Sequence, residues 1–116
     1  MNTERLAERY LRLMGDLVIA LLEARRIGSG LAYLPRLLSL GHLHERLSDP
    51  AVPWALRDRL EEYLSDLAGV RGMPIAEALA MPEVHQRHRE IAALLSRRLA
   101  RLQTEEEEYG CKTQSA

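Results

Sequence analysis

The chain has 116 residues, 47% of them apolar, and a formal net charge of −1. That length predicts one domain with a core of its own, needing neither metal nor disulfide staples, and the apolar content excludes a disordered chain. The near-zero charge excludes a strong global field toward nucleic acid or anionic lipid.

The apolar residues are dominated by 22 leucines, with a single tryptophan and no phenylalanine. Leucine is a good helix former and β-branched residues are scarce, so the composition predicts helix throughout. Fifteen of the sixteen basic residues are arginine, and Lys112 is the only lysine. This fits the codon bias of a GC-rich bacterial genome. The lone cysteine, Cys111, cannot form an internal disulfide, so no oxidising compartment is implied. The N-terminus lacks the layout of a signal peptide, and the longest apolar run, Leu17 to Leu22, is too short to span a bilayer. A cytoplasmic protein is expected.

In chain order, the first helix should start at Asn2 or Thr3 as N-cap, with Glu4 in its first turn. Leu6, Tyr10, Leu13, Leu17 and Leu21 recur at helical spacing, and Leu11, Met14, Val18 and Leu22 widen the stripe. Arg25 and Arg26 fall in the last turn, with Gly28 expected as the residue that ends it. Gly15, in the interior, suggests a close helix crossing. A second helix is predicted from Leu31 or Leu34 to Leu47, with Pro35 in its first turn and Ser48-Asp49-Pro50 as its stop.

A third helix should cover about Val52 to Ala68 with Asp49 as cap, its stripe being Val52, Leu56, Leu60, Tyr63, Leu64 and Leu67. Gly69 and Gly72 bracket a loop, and Pro74 opens a short helix through Leu79. Pro82 starts the last helix, whose stripe is Val84, His88, Ile91, Leu95, Leu99 and Leu102, ending near Gln103. Residues 104–116 contain four consecutive glutamates that oppose the helix dipole, so a flexible acidic tail is expected there. The fold class is therefore all-α: an antiparallel bundle of four main helices plus one short helix over residues 1–103.

Candidate chemistry is sparse. The histidines come as His42 with His44, and His85 with His88. His85 and His88, three apart, share a helix face and could approach one metal. The glutamate three before histidine that di-metal bundles use is absent, and His88 lies on the apolar stripe, so no metal site is assigned. Gly28-Ser29-Gly30 could offer amides to an anion, but no lysine follows and no strand precedes, so it is read as a connector. Arg87, Arg97, Arg98 and Arg101 form a basic strip that could meet nucleic-acid phosphates, with Glu90 among them and Glu105 to Glu108 following. No nucleophile–histidine pairing suggests a catalytic residue, and no cofactor is expected.

The segment Leu21-Leu22-Glu23-Ala24-Arg25-Arg26 resembles the end of the leucine-rich first stretch of the all-helical chorismate mutases. The resemblance covers a minor part of the chain. It implies arginine binding of a dicarboxylate, with Arg36 standing where that family has a lysine. The family's later acidic and glutamine positions have no clear counterpart, and no family membership is taken from it.

The first two helices carry more leucine than one face needs. The excess is expected to cover an interface, with a second copy in a homodimer or with an obligate partner protein; the alternative is that the two helices form the inner pair of the bundle. The expected function is a non-enzymatic protein-binding module (a regulatory factor, adaptor, or assembly or secretion chaperone). Its expected anchors are Leu34, Leu37, Leu38 and Trp54, with Tyr33 at the edge. The alternatives are a nucleic-acid-associated regulator using the arginine strip, and a small helical enzyme or histidine-based metal protein.

Overall fold

Asn2 opens the first helix as expected, its side chain accepting the Glu4 amide at 2.8 Å, and α1 spans Thr3–Glu23. The computed structural model describes the backbone of residues 2–114 and the side chains of residues 2–104. After α1 come α2 (Gly30–Tyr33), a 3-10 segment (Leu34–Leu38), α3 (Leu40–Arg46), α4 (Ala55–Ala68), α5 (Ile75–Leu79) and α6 (Pro82–Gln114). Among the described residues there is no strand.

The three long helices α1, α4 and α6 each pack on the other two, and the short elements close over them. Two ion pairs set the direction of the first contact. Arg9 of α1 meets Asp66 of α4, and Asp16 of α1 meets Arg59 of α4. Moving seven residues forward on α1 moves seven backward on α4, so the two run antiparallel. Both pairs are partly exposed, so they fix register more than they stabilise.

The core follows the periodic stripes. Leu6, Tyr10, Leu13, Met14, Leu17, Val18 and Leu21 of α1 are buried, as are Leu56, Leu60, Tyr63, Leu64 and Leu67 of α4. From α6, Val84, His88, Ile91, Leu95 and Leu99 join them, while Leu102 remains 48% exposed.

Four boundaries depart from the sequence reading, three of them before α5. First, α1 ends three residues early. Arg25, not a glycine, takes the left-handed conformation at φ 57°. The Arg26 amide then donates to the Leu21 carbonyl at 2.8 Å and the Arg25 amide to the Leu22 carbonyl at 3.0 Å, a complete Schellman closure. The early turn lets the chain fold back along α1. A Cβ at Gly30 would sit 2.9 Å from Val18 Cγ1, so this approach requires glycine. Gly15, by contrast, has nothing within 4 Å of its would-be Cβ, and it permits no close crossing.

Second, the single helix expected over 31–47 is three pieces. Ser39 breaks it, adopting extended backbone while its Oγ accepts the His42 amide at 3.3 Å and so caps α3. Third, α4 begins at Ala55, not Val52. Asp49 instead caps the preceding turn, accepting the Ala51 amide at 2.9 Å. The ending of α4 agrees with expectation: Gly69 is left-handed at φ 73°, and its amide reaches the Ser65 carbonyl.

The backbone of α6 continues as helix to Gln114, past the end expected near Gln103. The flexible tail expected over 104–116 falls mainly on residues whose side chains lie outside the described set. Among the described residues, no helix is long and apolar enough to cross a membrane.

Candidate functional site

Breaking residues 30–46 into short pieces leaves helix-terminal carbonyls that need donors. The long helices supply them. Tyr10 of α1 donates its hydroxyl to the Leu37 carbonyl at 2.5 Å. His88 of α6 reaches the Leu38 carbonyl through Nε2 at 2.7 Å. A carbonyl only accepts, so Nε2 carries the proton. Nδ1 of the neutral ring then accepts the Tyr63 hydroxyl at 2.8 Å. Tyr10, Tyr63 and His88 also pack ring against ring, tilted for the tyrosines at 5.0 Å between centroids and edge-on for Tyr10 and His88 at 4.7 Å. One buried node thus ties α1, α4 and α6 to the 3-10 segment.

Burial sets the protonation of this node. It pushes the Tyr10 hydroxyl well above its ordinary value, with Tyr63 adding to the shift. Burial likewise raises Tyr63, against a smaller opposing effect of the Arg9 charge. For His88 burial lowers the pKa, the Leu38 hydrogen bond opposes that, and His85 adds to the lowering. All three groups are neutral near pH 7, which suits a structural network.

The other polar residues of α6 do the same work. His85 donates Nε2–H to the Leu79 carbonyl at 2.6 Å, closing α5. Arg87 donates to the Leu67 carbonyl at 3.1 Å, closing the end of α4, where a cation also suits the helix dipole. Hence His85 and His88, the pair considered for a metal, direct their Nε2 atoms at two different carbonyls. Among the described residues, no group of three or more histidine, cysteine or acidic side chains is placed to hold a metal ion. The arginine strip divides as well: Arg87 is engaged, Arg97 and Arg101 are exposed, and Arg98 is half-buried.

The expected anchors fall in three environments. Leu37 is fully buried in the core and presents nothing to a partner in this conformation. Leu34 and Leu38 are half-buried and pack against the core. Trp54 is 69% exposed, on the hydrogen-bonded turn that leads into α4, with the Arg57 guanidinium 4.7 Å from its ring centre. The leucines that suggested an interface are largely internal, since Leu37, Leu40, Leu43 and Leu47 are all buried. Outside them, Ile19, Leu22, Val70 and Leu102 are the other large apolar side chains left exposed among the described residues.

Tyr33 belongs to a different constellation, one the sequence reading missed. Its hydroxyl lies 2.8 Å from Nε2 of His42. The guanidinium carbons of Arg36 and Arg46 stand 5.6 Å and 5.4 Å from its ring centre. Arg26 completes an open recess that Gly28 and Ser29 border. The visible signal was Tyr33 and Arg36 three apart on one turn, but Arg46 and Arg26 come from other elements. No family model, curated protein or solved structure matches the chain.

Proposed function

We propose that the protein is a non-enzymatic protein-binding module of the bacterial cytoplasm, serving as a regulatory factor, adaptor or assembly chaperone. The observation that carries this reading is Trp54. It is the largest side chain in the molecule, it is 69% exposed, and it sits at the start of a helix on an ordered turn. Large aromatic groups and arginine dominate the energy of protein interfaces. Arg57 stacks on the indole and has no carboxylate partner among the described residues. The pair therefore offers an apolar plate beside an uncompensated cation. Its complement is a segment of another protein that presents an apolar side chain next to a carboxylate.

A second copy of the chain fits less well. A two-fold contact centred on Trp54 would bring two Arg57 cations together. In addition, Leu37, Leu40, Leu43 and Leu47, part of the leucine excess that points to a dimer, lie in the core.

The test pairs capture with hydrodynamics. Proteins retained by the wild type from its native host should be lost with Trp54→Ala and with Arg57→Glu, while circular dichroism and monomeric mass stay unchanged. Identical capture by the two folded variants would refute the reading. A concentration-dependent dimer that Trp54→Ala dissolves would assign the surface to a second copy instead.

A further inference from the structure

We infer that the recess around Tyr33 is a binding site for a phosphate monoester. Three arginines from separate parts of the chain converge there. Arg26 follows the end of α1, Arg36 lies in the 3-10 segment, and Arg46 ends α3. The chain has 17 acidic residues, enough to pair every arginine. Arg26 does pair, with Asp49 at 3.4 Å, but Arg36 and Arg46 meet no carboxylate among the described residues. Their stacking on one ring holds the two guanidinium carbons at most about 11 Å apart. Like charges gathered without a counter-charge repel, and an anion bound in the recess they line offsets that repulsion.

A second observation concerns Arg46 itself. Its Nε–H is buried and has no hydrogen-bond acceptor among the described residues. A buried, unsatisfied donor on a charged group is costly, and native structures keep few of them. Here the donor belongs to a side chain that lines the recess. The guanidinium is held by its stack on Tyr33, and Tyr33 is held in turn by its hydrogen bond to His42. The recess is thus built before any ligand arrives. When the Tyr33 hydroxyl donates to Nε2 of His42, the ring carries its proton on Nδ1, a further donor.

The number and kind of donors select the ligand. One guanidinium fork matches one planar carboxylate, whereas more than one guanidinium lining the same recess matches the several oxygens of a tetrahedral dianion. A nucleic-acid polymer is disfavoured on the same geometry. Single-stranded binders stack bases on open aromatic faces. The ring of Tyr33 is covered by guanidinium groups and its hydroxyl is engaged. The phosphate can come from a small phosphorylated metabolite or from a phosphorylated side chain of a protein. This site is separate from the Trp54 surface and does not depend on the reading given for it.

The experiment is a titration of the full chain, followed by amide chemical shifts, at ionic strength held constant with chloride. Inorganic phosphate, a phosphoserine peptide and its unphosphorylated form are the probes, with succinate and a short RNA as competitors. The expected result is a saturable shift confined to residues 26–46 with inorganic phosphate. Tighter binding of the phosphoserine peptide, absent without its phosphate, would identify a protein source. Equal affinity for peptide and free phosphate would identify a small-molecule source. Arg36→Gln should weaken binding about tenfold, as loss of one charge-assisted bidentate contact does. Arg46→Lys keeps the charge but loses the planar fork, and should also weaken binding. Arg97→Gln should leave it unchanged. The inference is overturned by no saturation in the tens of millimolar, by succinate or RNA binding the same residues more tightly, or by unchanged affinity in a folded Arg36→Gln, Arg46→Lys double variant.

Discussion

Replacing Tyr63 by phenylalanine removes one hydroxyl from the buried node and little else. The ring stays, with its contact to Tyr10 at 5.0 Å between centroids. What is lost is the hydrogen bond to Nδ1 of His88. His88 cannot compensate by changing tautomer, because Nε2 must keep its proton to serve the Leu38 carbonyl. Nδ1 is then a buried acceptor without a donor, which costs about 1–3 kcal/mol. For a domain of this size that lowers the melting temperature by roughly 3–6 °C per kcal/mol lost. A double-mutant cycle isolates the interaction. In a His88→Leu background the Tyr63 hydroxyl is itself a buried donor without a partner, so Tyr63→Phe should there be neutral or stabilising. The assay is chemical unfolding of all four proteins, with a coupling energy of about 2 kcal/mol expected. Equal effects of Tyr63→Phe in both backgrounds, or no loss in the wild type, would refute the assigned hydrogen-bond directions.

Three further outcomes are expected. Because burial lowers the His88 pKa from 6.5, stability should be full above that value and decline as pH falls below it, where the unfolded chain takes up a proton that the folded ring resists. The groups facing His88 are Tyr10 and Tyr63, which stay neutral there, together with His85 on its own helix. Unfolding midpoints measured from pH 7.5 down to about 5 should fall more steeply in the wild type than in His88→Leu; equal slopes would contradict the burial argument. Arg25→Gly should raise stability by about 0.5–1 kcal/mol, since Arg25 holds φ 57° and glycine reaches that region without a Cβ clash. A loss in thermal unfolding would mean that the Arg25 side chain contributes more than its strain costs. Gly15→Ala should stabilise by about 0.5–1 kcal/mol, while Gly30→Ala should destabilise through its 2.9 Å clash with Val18. Like signs from the two in denaturant titrations would overturn the packing described around α1.

The apolar periodicity of α1, α4 and α6 was readable because a stripe at helical spacing has one way to be buried. It named Tyr10, Tyr63 and His88 as inward positions, and the local signals placed the first cap at Asn2 or Thr3 and a loop from Gly69. Residues 31–47 behave differently. Leucine on nearly every side says that the segment is buried, not along which path. The break at Ser39 exposes carbonyls whose donors, Tyr10 and His88, lie 27 and 50 residues away in sequence. Local spacing carries no trace of such a match. The same holds for the Tyr33 recess, since Arg26, Arg36 and Arg46 meet only after that segment folds back on α1. The existence and inward faces of α1, α4 and α6 were therefore determined locally, by period. The two polar constellations, one buried and neutral, the other open and cationic, were decided by tertiary structure, because long-range packing alone sets which distant donors face which acceptors.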